Sequence, residues 1–436
     1  MSEMSVPRGF RDFPREVMIL RKRVFSIIED VFKSFGFDPI DTPAVEYLET
    51  LSGKYGEEAE NKLMWKFKDP WSDRWYALRY DLTVPMARFI AQNRHIPMPF
   101  KRYHIAPVWR HEEPQRGRYR EFYQCDVDIV GSPYPEADAE ILEVIWSVFK
   151  RFNLESVRIH LNDRRILRGL FEEELKLDNP MPVYRAIDKL DKIGVEGVAR
   201  ELERLGLSQG VISKILTLID LKGDPLDVVR KLRERYVVNK SIVEGSNFIE
   251  EMLNYLPRDI KILYDMALVR GLDYYTGPIF EVEVDKPRIG SLAGGGRYDD
   301  LIQMFVGEKI PATGGSIGVE RLIDAGLELG LFNLDKKTYT DVYLILMNRD
   351  QDTLSYGYEI ARRLREKSFN VALDLMRRSV SKQREYARKL SIPVLLFVGE
   401  IELRNRSVTI YITSSGERRE IRIDDLESEL RKILEK

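Results

Sequence analysis

The 436-residue chain has very little cysteine and no long apolar run. With Cys125 as its single cysteine, an internal disulfide and a cysteine-rich zinc or iron–sulfur site are excluded. No apolar stretch approaches the ~18 residues of a transmembrane helix, and residues 1–12 are charged and lack the apolar segment of a secretory signal. The sequence therefore predicts no membrane association and a reducing, cytoplasmic location.

The chain also lacks an excess of charge of either sign, because 69 Lys and Arg residues nearly balance 71 Asp and Glu residues. A protein that only grips nucleic acid is usually basic overall, so the balance argues against that class. It still allows a local basic face that binds RNA. No internal repeat or low-complexity tract is present, and the length predicts two or three domains.

Hydrophobic periodicity divides the chain into segments of different character. Amphipathic helices are predicted at 14–35, 84–93, 135–152 and 316–330, and two strands at 103–112 and 119–130 flank the basic loop 113–118. The predicted segments are a core in two parts (1–164 and 256–330), a mainly helical insertion (165–255), a linker (331–340) and a final domain (341–436). The final domain alternates strands and helices, which predicts an α/β fold with a mixed or parallel sheet.

The strand predicted at 119–130 has two faces of different chemistry. Cys125, Val127 and Ile129 lie on an apolar face, whereas Gln124 and Asp128 share the opposite face with an arginine and an aromatic ring. Arg110 and Glu112 are predicted on one face of the preceding strand. The polar face is either a site where arginines and carboxylates converge or a solvent-exposed face with cross-strand ion pairs.

Three glycine-containing motifs follow, at 268–277, 293–299 and 314–321. The first joins Arg270 to adjacent tyrosines, the second allows backbone N–H groups to approach a ligand, and the third is a glycine-dense strand that enters a helix. Each cluster alone is explained by ordinary turns. Neither Walker spacing nor a G-x-G-x-x-G fingerprint after a strand is present, which disfavours P-loop and Rossmann folds.

Together these motifs resemble the histidyl-tRNA synthetases, a family of class II (subclass IIa) aminoacyl-tRNA synthetases. Residues 36–43, 110–122 and 318–321 look like the three motifs of the class, and 268–275 and 293–299 look like the two signatures of the histidyl enzymes. Residues 341–436 resemble the class IIa anticodon-binding domain. The resemblance implies an α+β fold, in which an antiparallel-sheet catalytic core with a helical insert precedes an α/β anticodon-binding domain.

The resemblance also implies a reaction: ATP-dependent ligation of L-histidine to its tRNA through a histidyl-adenylate, with release of AMP and pyrophosphate by a homodimer. Arginines suit this chemistry because they stay charged and bind phosphate through two donors. Family matching gives the ATP-binding residues as Arg110, Glu112, Arg118, Phe122 and Arg321. Arg110 and Arg270 receive the catalytic role, with Arg270 where many relatives hold a metal ion; Mg²⁺ is expected only on the ATP phosphates.

Histidine selection needs groups for the imidazole and for the α-ammonium. Family matching gives these as Asp81, Thr83, Arg110, Gln124, Asp128, Arg270, Tyr274, Tyr275 and Tyr298, with the two carboxylates near the ammonium and the tyrosines near the ring. Such a hydrogen-bonding pocket rejects other amino acids without an editing domain. None of the four histidines shows the paired spacing of metal ligands, so no protein-bound metal is predicted.

Two regions are predicted to contact tRNA. The basic stretch 377–389 either forms a solvated face or binds the anticodon side through Arg377, Arg378, Lys382 and Arg384. In the loop 113–118, Gln115 and Arg116 are candidates for reading the extra 5′ guanosine expected of histidine tRNA. Two competing functions remain: a regulatory histidine-binding paralogue and an RNA-binding pseudo-synthetase. Both would be expected to lose the arginines that are present here.

Overall fold

The computed structural model describes residues 4–56, 59–269 and 274–435. Its contacts divide the chain into two compact units, the first formed by 1–12 and 24–332 and the second by 13–23 and 333–436. None of the helices in the part of the chain described has the length and apolar character that crossing a bilayer requires.

The strands are short except for the two that carry the polar face. In chain order they are β1 (Asp38–Pro39), β2 (Val45–Tyr47), β3 (Lys66–Lys68), β4 (Trp75–Leu78), β5 (Phe100–Trp109), β6 (Glu121–Val130), β7 (Val157–Asp163), β8 (Lys222–Gly223), β9 (Ile262–Asp265), β10 (Pro278–Val284), β11 (Ala293–Arg297), β12 (Ala312–Gly318), β13 (Val342–Leu346), β14 (Val371–Leu373), β15 (Val394–Val398), β16 (Ser407–Ile412) and β17 (Arg418–Arg422).

The helices are concentrated between β7 and β9 and in the second unit. They are α1 (Arg15–Ser34), α2 (Leu48–Leu51), α3 (Thr83–Gln92), α4 (Pro135–Arg151), α5 (Arg164–Arg168), α6 (Met181–Ile187), α7 (Leu190–Arg204), α8 (Gln209–Ile219), α9 (Pro225–Arg235), α10 (Lys240–Leu253), α11 (Gln303–Val306), α12 (Val319–Glu328), α13 (Gln351–Glu366), α14 (Val380–Lys389), α15 (Glu400–Asn405) and α16 (Leu426–Leu434); π-helical turns occur at Ala59–Leu63 and Gly169–Glu174.

The main sheet of the first unit has the strand order β1-β5-β6-β12-β11-β10-β7-β9-β8 among the described residues. β1 pairs with β5 and β7 with β9 in parallel; the other neighbours are antiparallel. Long β5 and β6 strands form a hairpin, and α4 packs across β6, β11 and β12. α4 begins with Pro135 in its first turn and ends with Lys150 and Arg151, which suits the helix dipole.

Glycine determines how closely the centre of this sheet packs. Gly295 on β11 faces Gly315 on β12, and a Cβ atom on Gly315 would lie 2.6 Å from the Ile145 side chain of α4. Gly315 therefore lets α4 approach β12, whereas Gly295 of the 293–299 motif lets β11 lie close to β12. The interpretation of this motif as a ligand-facing backbone is wrong, because β11 pairs with strands on both sides and its N–H groups serve the sheet.

The second unit has its own five-stranded sheet in the described residues, in the order β14-β13-β15-β16-β17. β13 pairs in parallel with β14 and β15, and the remaining pairs are antiparallel, so the predicted mixed α/β sheet is confirmed. Every residue of β13 and of β15 is buried, which explains why these strands read as continuous apolar runs.

Most elements predicted from periodicity are confirmed, within shifts of a few residues at their ends. The helix predicted at 316–330 is wrong at its start, because residues 312–318 pair in the main sheet and α12 begins only at Val319. β5 spans Phe100–Trp109, so Arg110 and Glu112 lie in the loop after the strand and not on it. Strand pairing, which periodicity does not report, fixes both boundaries.

The close approach of β11 and β12 gives a stability prediction. A Cβ atom on Gly295 would lie 2.2 Å from the carbonyl oxygen of Gly314, whereas one on Gly294 would have no neighbour nearer than 3.4 Å. Gly295→Ala should therefore lower the free energy of unfolding by about 1–3 kcal/mol through overpacking. The adjacent control Gly294→Ala should change it by less than about 1 kcal/mol. Urea unfolding followed by circular dichroism measures both; equal losses would contradict the packing argument.

Candidate active site

Polar side chains from four separate segments of the first unit meet beside the main sheet. β6 contributes Gln124 and Asp128 on one face, and Asp81 immediately precedes the segment that enters α3. Tyr274 precedes β10 and Tyr298 follows β11, with ring centroids 5.7 Å apart. Tyr275 joins the same group, with its ring centroid 5.0 Å from that of Tyr274. These residues are called the aspartate–tyrosine cluster below.

Asp81 is fixed within this cluster by three donors. Its Oδ1 accepts hydrogen bonds from the Tyr55 hydroxyl at 2.8 Å and from the Val84 backbone N–H at 3.1 Å. Its Oδ2 accepts from the Tyr274 hydroxyl at 3.3 Å. The carboxylate is buried and its orientation is set by residues that are far apart in the sequence.

Asp128 is held in a comparable way on β6. The Tyr298 hydroxyl donates to its Oδ1, and its Oδ2 lies 2.7 Å from Nη2 of Arg102. Because Asp128 and Asp126 are both only 2% exposed, the alternative of a solvent-exposed polar face is wrong. The cross-strand ion pair exists, but it is buried, with the Arg102 side chain 0% and the Asp128 side chain 2% exposed.

The electrostatics of the cluster favour a cation. Burial raises the pKa of Asp81, Asp126 and Asp128, that of Asp126 to about 7. Two arginines, Arg102 and Arg110, lie near these three carboxylates and partly offset their charge. An added ammonium group would stabilise the buried ionised carboxylates further.

Arg110 lies beside the cluster, with aromatic rings close to its guanidinium. Its Nε donates to the Tyr80 carbonyl oxygen at 3.1 Å, and its guanidinium carbon is 4.5 Å from the Tyr80 ring centroid and 5.2 Å from that of Phe122. Rings at these distances stabilise the cation and restrict its orientation. Arg110 is therefore a charged group of fixed position next to the buried carboxylates.

A basic cavity of about 370 Å³ lies at the loop 113–118; its lining residues are Gln115, Arg116, Arg118, Arg288, Ile289, Gly290, Ser291 and Arg321. Arg321 is anchored by donation from Nε to the Gly117 carbonyl oxygen at 2.9 Å and from Nη1 to that of Ser291 at 2.8 Å. None of the described lining residues is acidic. Four guanidinium groups without a lining carboxylate favour a polyanion such as a triphosphate.

Comparison with known families agrees with this geometry. The family model of histidyl-tRNA synthetase matches residues 9–322, and that of the anticodon binding domain matches residues 341–433. The chain belongs to the histidyl-tRNA synthetase family. The resemblance inferred from the sequence motifs is thus confirmed.

Relatives and solved structures match over nearly the whole length. The histidine–tRNA ligase of Aeropyrum pernix is 60% identical over 94% of both chains, and that of Korarchaeum cryptofilum is 54% identical over 99% of both. The crystal structure of histidyl-tRNA synthetase from Nostoc sp. PCC 7120 matches with a TM-score of 0.83 at 30% identity, covering 99% of this chain and 100% of that one. The predicted α+β fold of a synthetase core followed by an anticodon-binding domain is confirmed.

The structure brings most of the predicted site residues together, while their roles stay predictions. Asp81, Thr83, Gln124, Asp128 and the three tyrosines lie in or beside the cluster, and Gln124 donates to the Ser316 hydroxyl at 2.7 Å. Arg118 and Arg321 line the cavity with Gln115 and Arg116. Arg270 lies outside the described residues. Arg377, Arg378, Lys382 and Arg384 belong to the second unit, on α14 or just before it.

Three residues near these groups were not anticipated from the sequence. Tyr55 binds Asp81 from a distant segment with no periodic signal, and Arg288 lines the cavity from a loop. Arg102 faces Asp128 across the hairpin, but the strand was predicted to begin at residue 103. A strand that begins one residue earlier than predicted includes Arg102, and the pairing register then places it opposite Asp128.

Two of the histidines have carboxylate partners. His104 Nε2 lies 2.8 Å from an Asp41 oxygen, and His160 Nδ1 lies 2.9 Å from one of Asp265. The described residues contain no group of three or more His, Cys, Asp or Glu side chains arranged to hold a metal ion. Cys125 is fully buried, as expected for an apolar core residue.

The raised pKa of Asp126 predicts a pH effect on stability. Because the folded state binds this proton more tightly than the unfolded chain, its contribution is complete below about pH 4 and is lost as the pH rises through about 7. Asp126→Asn stays neutral throughout, so it should gain stability relative to the parent as the pH rises across this range. Urea unfolding of both proteins at several pH values measures the difference; a constant or decreasing difference would contradict the assignment.

Proposed function

We propose that this chain is an active histidine–tRNA ligase, which activates L-histidine with ATP in the first unit and transfers it to histidine tRNA. The observation that carries the proposal is that the first unit holds both a cation-favouring carboxylate cluster beside Arg110 and a cavity lined by four arginines. The ligases that are 54% and 60% identical support the same reaction. The match of residues 341–433 to the anticodon binding domain favours an enzyme over a regulatory paralogue.

The proposed chemistry follows from the opposite charges of the aspartate–tyrosine cluster and the four-arginine cavity. The α-ammonium of histidine is bound by the aspartates, and the triphosphate by Arg118 and Arg321 in the cavity. Arg110, which lies near Asp81 and two residues before Glu112, neutralises the histidine carboxylate and the α-phosphate, which otherwise repel each other. Catalysis then comes from positioning and electrostatic stabilisation, with histidyl-adenylate formed and pyrophosphate released.

The remaining parts of the ATP-binding proposal are the residues that bind the adenine and the way in which Mg²⁺ is held. Phe122 stacks on the adenine and Glu112 accepts from its amino group; in the structure Glu112 is 3.5 Å from Arg118. Because no described residue lining the cavity is acidic, Mg²⁺ is held through the ATP phosphates, as part of the substrate. Arg270 is assigned to the transition state from the family signature alone.

The tRNA contacts are assigned to two basic places. Arg116 pairs with Glu328 at the surface, so a tRNA group that binds Arg116 replaces this carboxylate. In the second unit, Lys382 and Arg384 are exposed on α14, whereas Arg378 is bound to Asp374 at 2.6 Å. Lys382 and Arg384 are therefore the freer candidates for phosphate contacts.

Histidine selection predicts an effect on one substrate. Pyrophosphate exchange should depend on histidine and not on other amino acids. Asp128→Asn should raise the KM for histidine at least ~10-fold and that for ATP less than ~3-fold, because a charge-assisted contact to the substrate cation is lost. Asp265→Asn is the matched control, since Asp265 is also buried and paired but lies on β9. Equal effects of the two variants on histidine KM would refute the assignment.

The basic face of α14 predicts a salt-dependent loss of charging. Lys382→Ala/Arg384→Ala should lower kcat/KM for tRNA ~10-fold and make its dependence on salt shallower by about one unit per lost contact, with pyrophosphate exchange unchanged. Arg431→Ala/Lys432→Ala removes the same charge from α16, where both residues pair with glutamates. If this control lowered charging as much, the effect would be one of net charge alone.

The homodimer and cytoplasmic location are part of the proposal. Residues 36–50 and α1 are assigned to a two-fold interface, in line with the first class motif. Sedimentation velocity at micromolar concentration should give a dimer. A stable monomer that performs the whole reaction would exclude this part of the proposal.

A further inference from the structure

Arg102 ties Asp128 to the backbone beside Asp81. The two residues face each other in the register of the β5–β6 hairpin, and the Arg102 side chain has no exposed surface. Its Nη2 lies 2.7 Å from Asp128 Oδ2 and also donates to the Leu82 carbonyl oxygen at 3.2 Å. One guanidinium group thus links the carboxylate on β6 to the segment that carries Asp81.

Asp126 is the other carboxylate within reach of Arg102. Its Oδ2 lies 3.9 Å from the same Nη2 atom, compared with 2.7 Å for Asp128. In surroundings of similar dielectric, the shorter separation gives the stronger attraction. Arg102 therefore stabilises the ionised form of Asp128 more than that of Asp126.

Gly314 restrains Asp128 from the opposite neighbouring strand. It faces Asp128 in the β6–β12 register, and a Cβ atom there would lie 2.0 Å from Asp128 Oδ1 and 2.8 Å from the Val127 carbonyl oxygen. The carboxylate occupies space that any other residue at position 314 would fill. The location of the Asp128 carboxylate therefore depends on both neighbouring strands. Arg102 on β5 attracts it, and Gly314 on β12 leaves it room because glycine has no side chain.

We propose that Arg102 is a positioning residue for histidine selection: it holds Asp128 ionised and in the place where the substrate cation binds, in the space that Gly314 leaves open. This inference rests on the proposed histidine-binding role of Asp128. It predicts a defect in histidine binding that is separate from ATP binding. A purely structural role of Arg102 predicts lower stability with no preference between the substrates.

Initial-rate pyrophosphate exchange tests the proposal. Arg102→Leu should raise the KM for histidine at least ~10-fold while that for ATP changes less than ~3-fold. Arg102→Lys keeps the charge but lacks the planar fork, so its histidine KM should lie between those of the parent and Arg102→Leu. Arg165→Leu is the matched control, because Arg165 Nε donates at 2.9 Å to the fully buried Asp163 outside the cluster; it should lower stability and leave histidine KM unchanged.

The pH dependence supplies a second readout. The groups that face Asp128 are Arg102 on β5, Asp126 on its own strand, Asp81, Tyr275 and Tyr298. Burial raises the pKa of Asp128 and Arg102 opposes that rise, so loss of Arg102 leaves the carboxyl protonated at higher pH. The ratio of histidine KM between Arg102→Leu and the parent should therefore increase as the pH falls. Titration of the substrate itself cancels in this ratio.

Gly314→Ala tests the position of Asp128 with Arg102 intact. If Arg102→Leu does not fold, Gly314→Ala and Arg102→Lys together test the proposal. It should also raise histidine KM more than ATP KM, because the new methyl group displaces the carboxylate. Equal changes in both KM values, or an unchanged histidine KM in the folded variants, would overturn the proposal. The proposed function fails separately: a parent without histidine-dependent exchange, or an Asp128→Asn variant with normal histidine KM, contradicts that function whatever Arg102 does.

Discussion

The burial of ionised groups within the main sheet is the constraint on which this site depends. Removing a carboxylate from water costs several kcal/mol unless it is paired and hydrogen-bonded. Asp81 meets this requirement with two tyrosine hydroxyls and a backbone N–H, and Asp128 meets it with Tyr298 and Arg102. Apart from Val84, which lies in the same segment as Asp81, each partner comes from a different segment, so distant parts of the chain must pack before either carboxylate is stable. The same arrangement leaves a place where a substrate cation is favoured.

A second buried ion pair joins β11 to α4 next to Tyr298 of this cluster. Arg297 at the end of β11 is paired with Asp138 of α4, and the Thr313 hydroxyl of β12 donates to the same carboxylate at 2.9 Å. Arg297 also donates to the carbonyl oxygens of Ser132 and Tyr134, at 2.9 and 3.1 Å. Tyr298 follows Arg297 directly, so this pair holds the backbone next to the tyrosine whose hydroxyl donates to Asp128. The arginine of the glycine-rich signature thus has a structural contact, while the adjacent tyrosine faces the cluster.

The site separates charge in a way that suits a reaction between a cationic amino acid and a polyanionic nucleotide. Carboxylates lie on and beside β6, guanidinium groups line the cavity at the loop 113–118, and Arg110 contacts the Tyr80 and Phe122 rings near the carboxylates. No covalent nucleophile is required for such a reaction, since attraction and alignment lower the barrier. The buried single cysteine and the paired His104 and His160 agree with that reading.

The sequence by itself determined the family, the α+β class, the main amphipathic helices and the residue types of the site. These are local properties: helices repeat every 3.6 residues, strands alternate, and the motifs are contiguous. Only the tertiary structure decided that Arg102 meets Asp128, that Tyr55 meets Asp81, and that Arg288 joins the cavity. It also decided that residues 293–297 of the glycine-rich motif form a central strand and that α12 begins at Val319. The reason is that strand register and the contact of distant segments depend on the packing of the whole sheet, which no short stretch of sequence encodes.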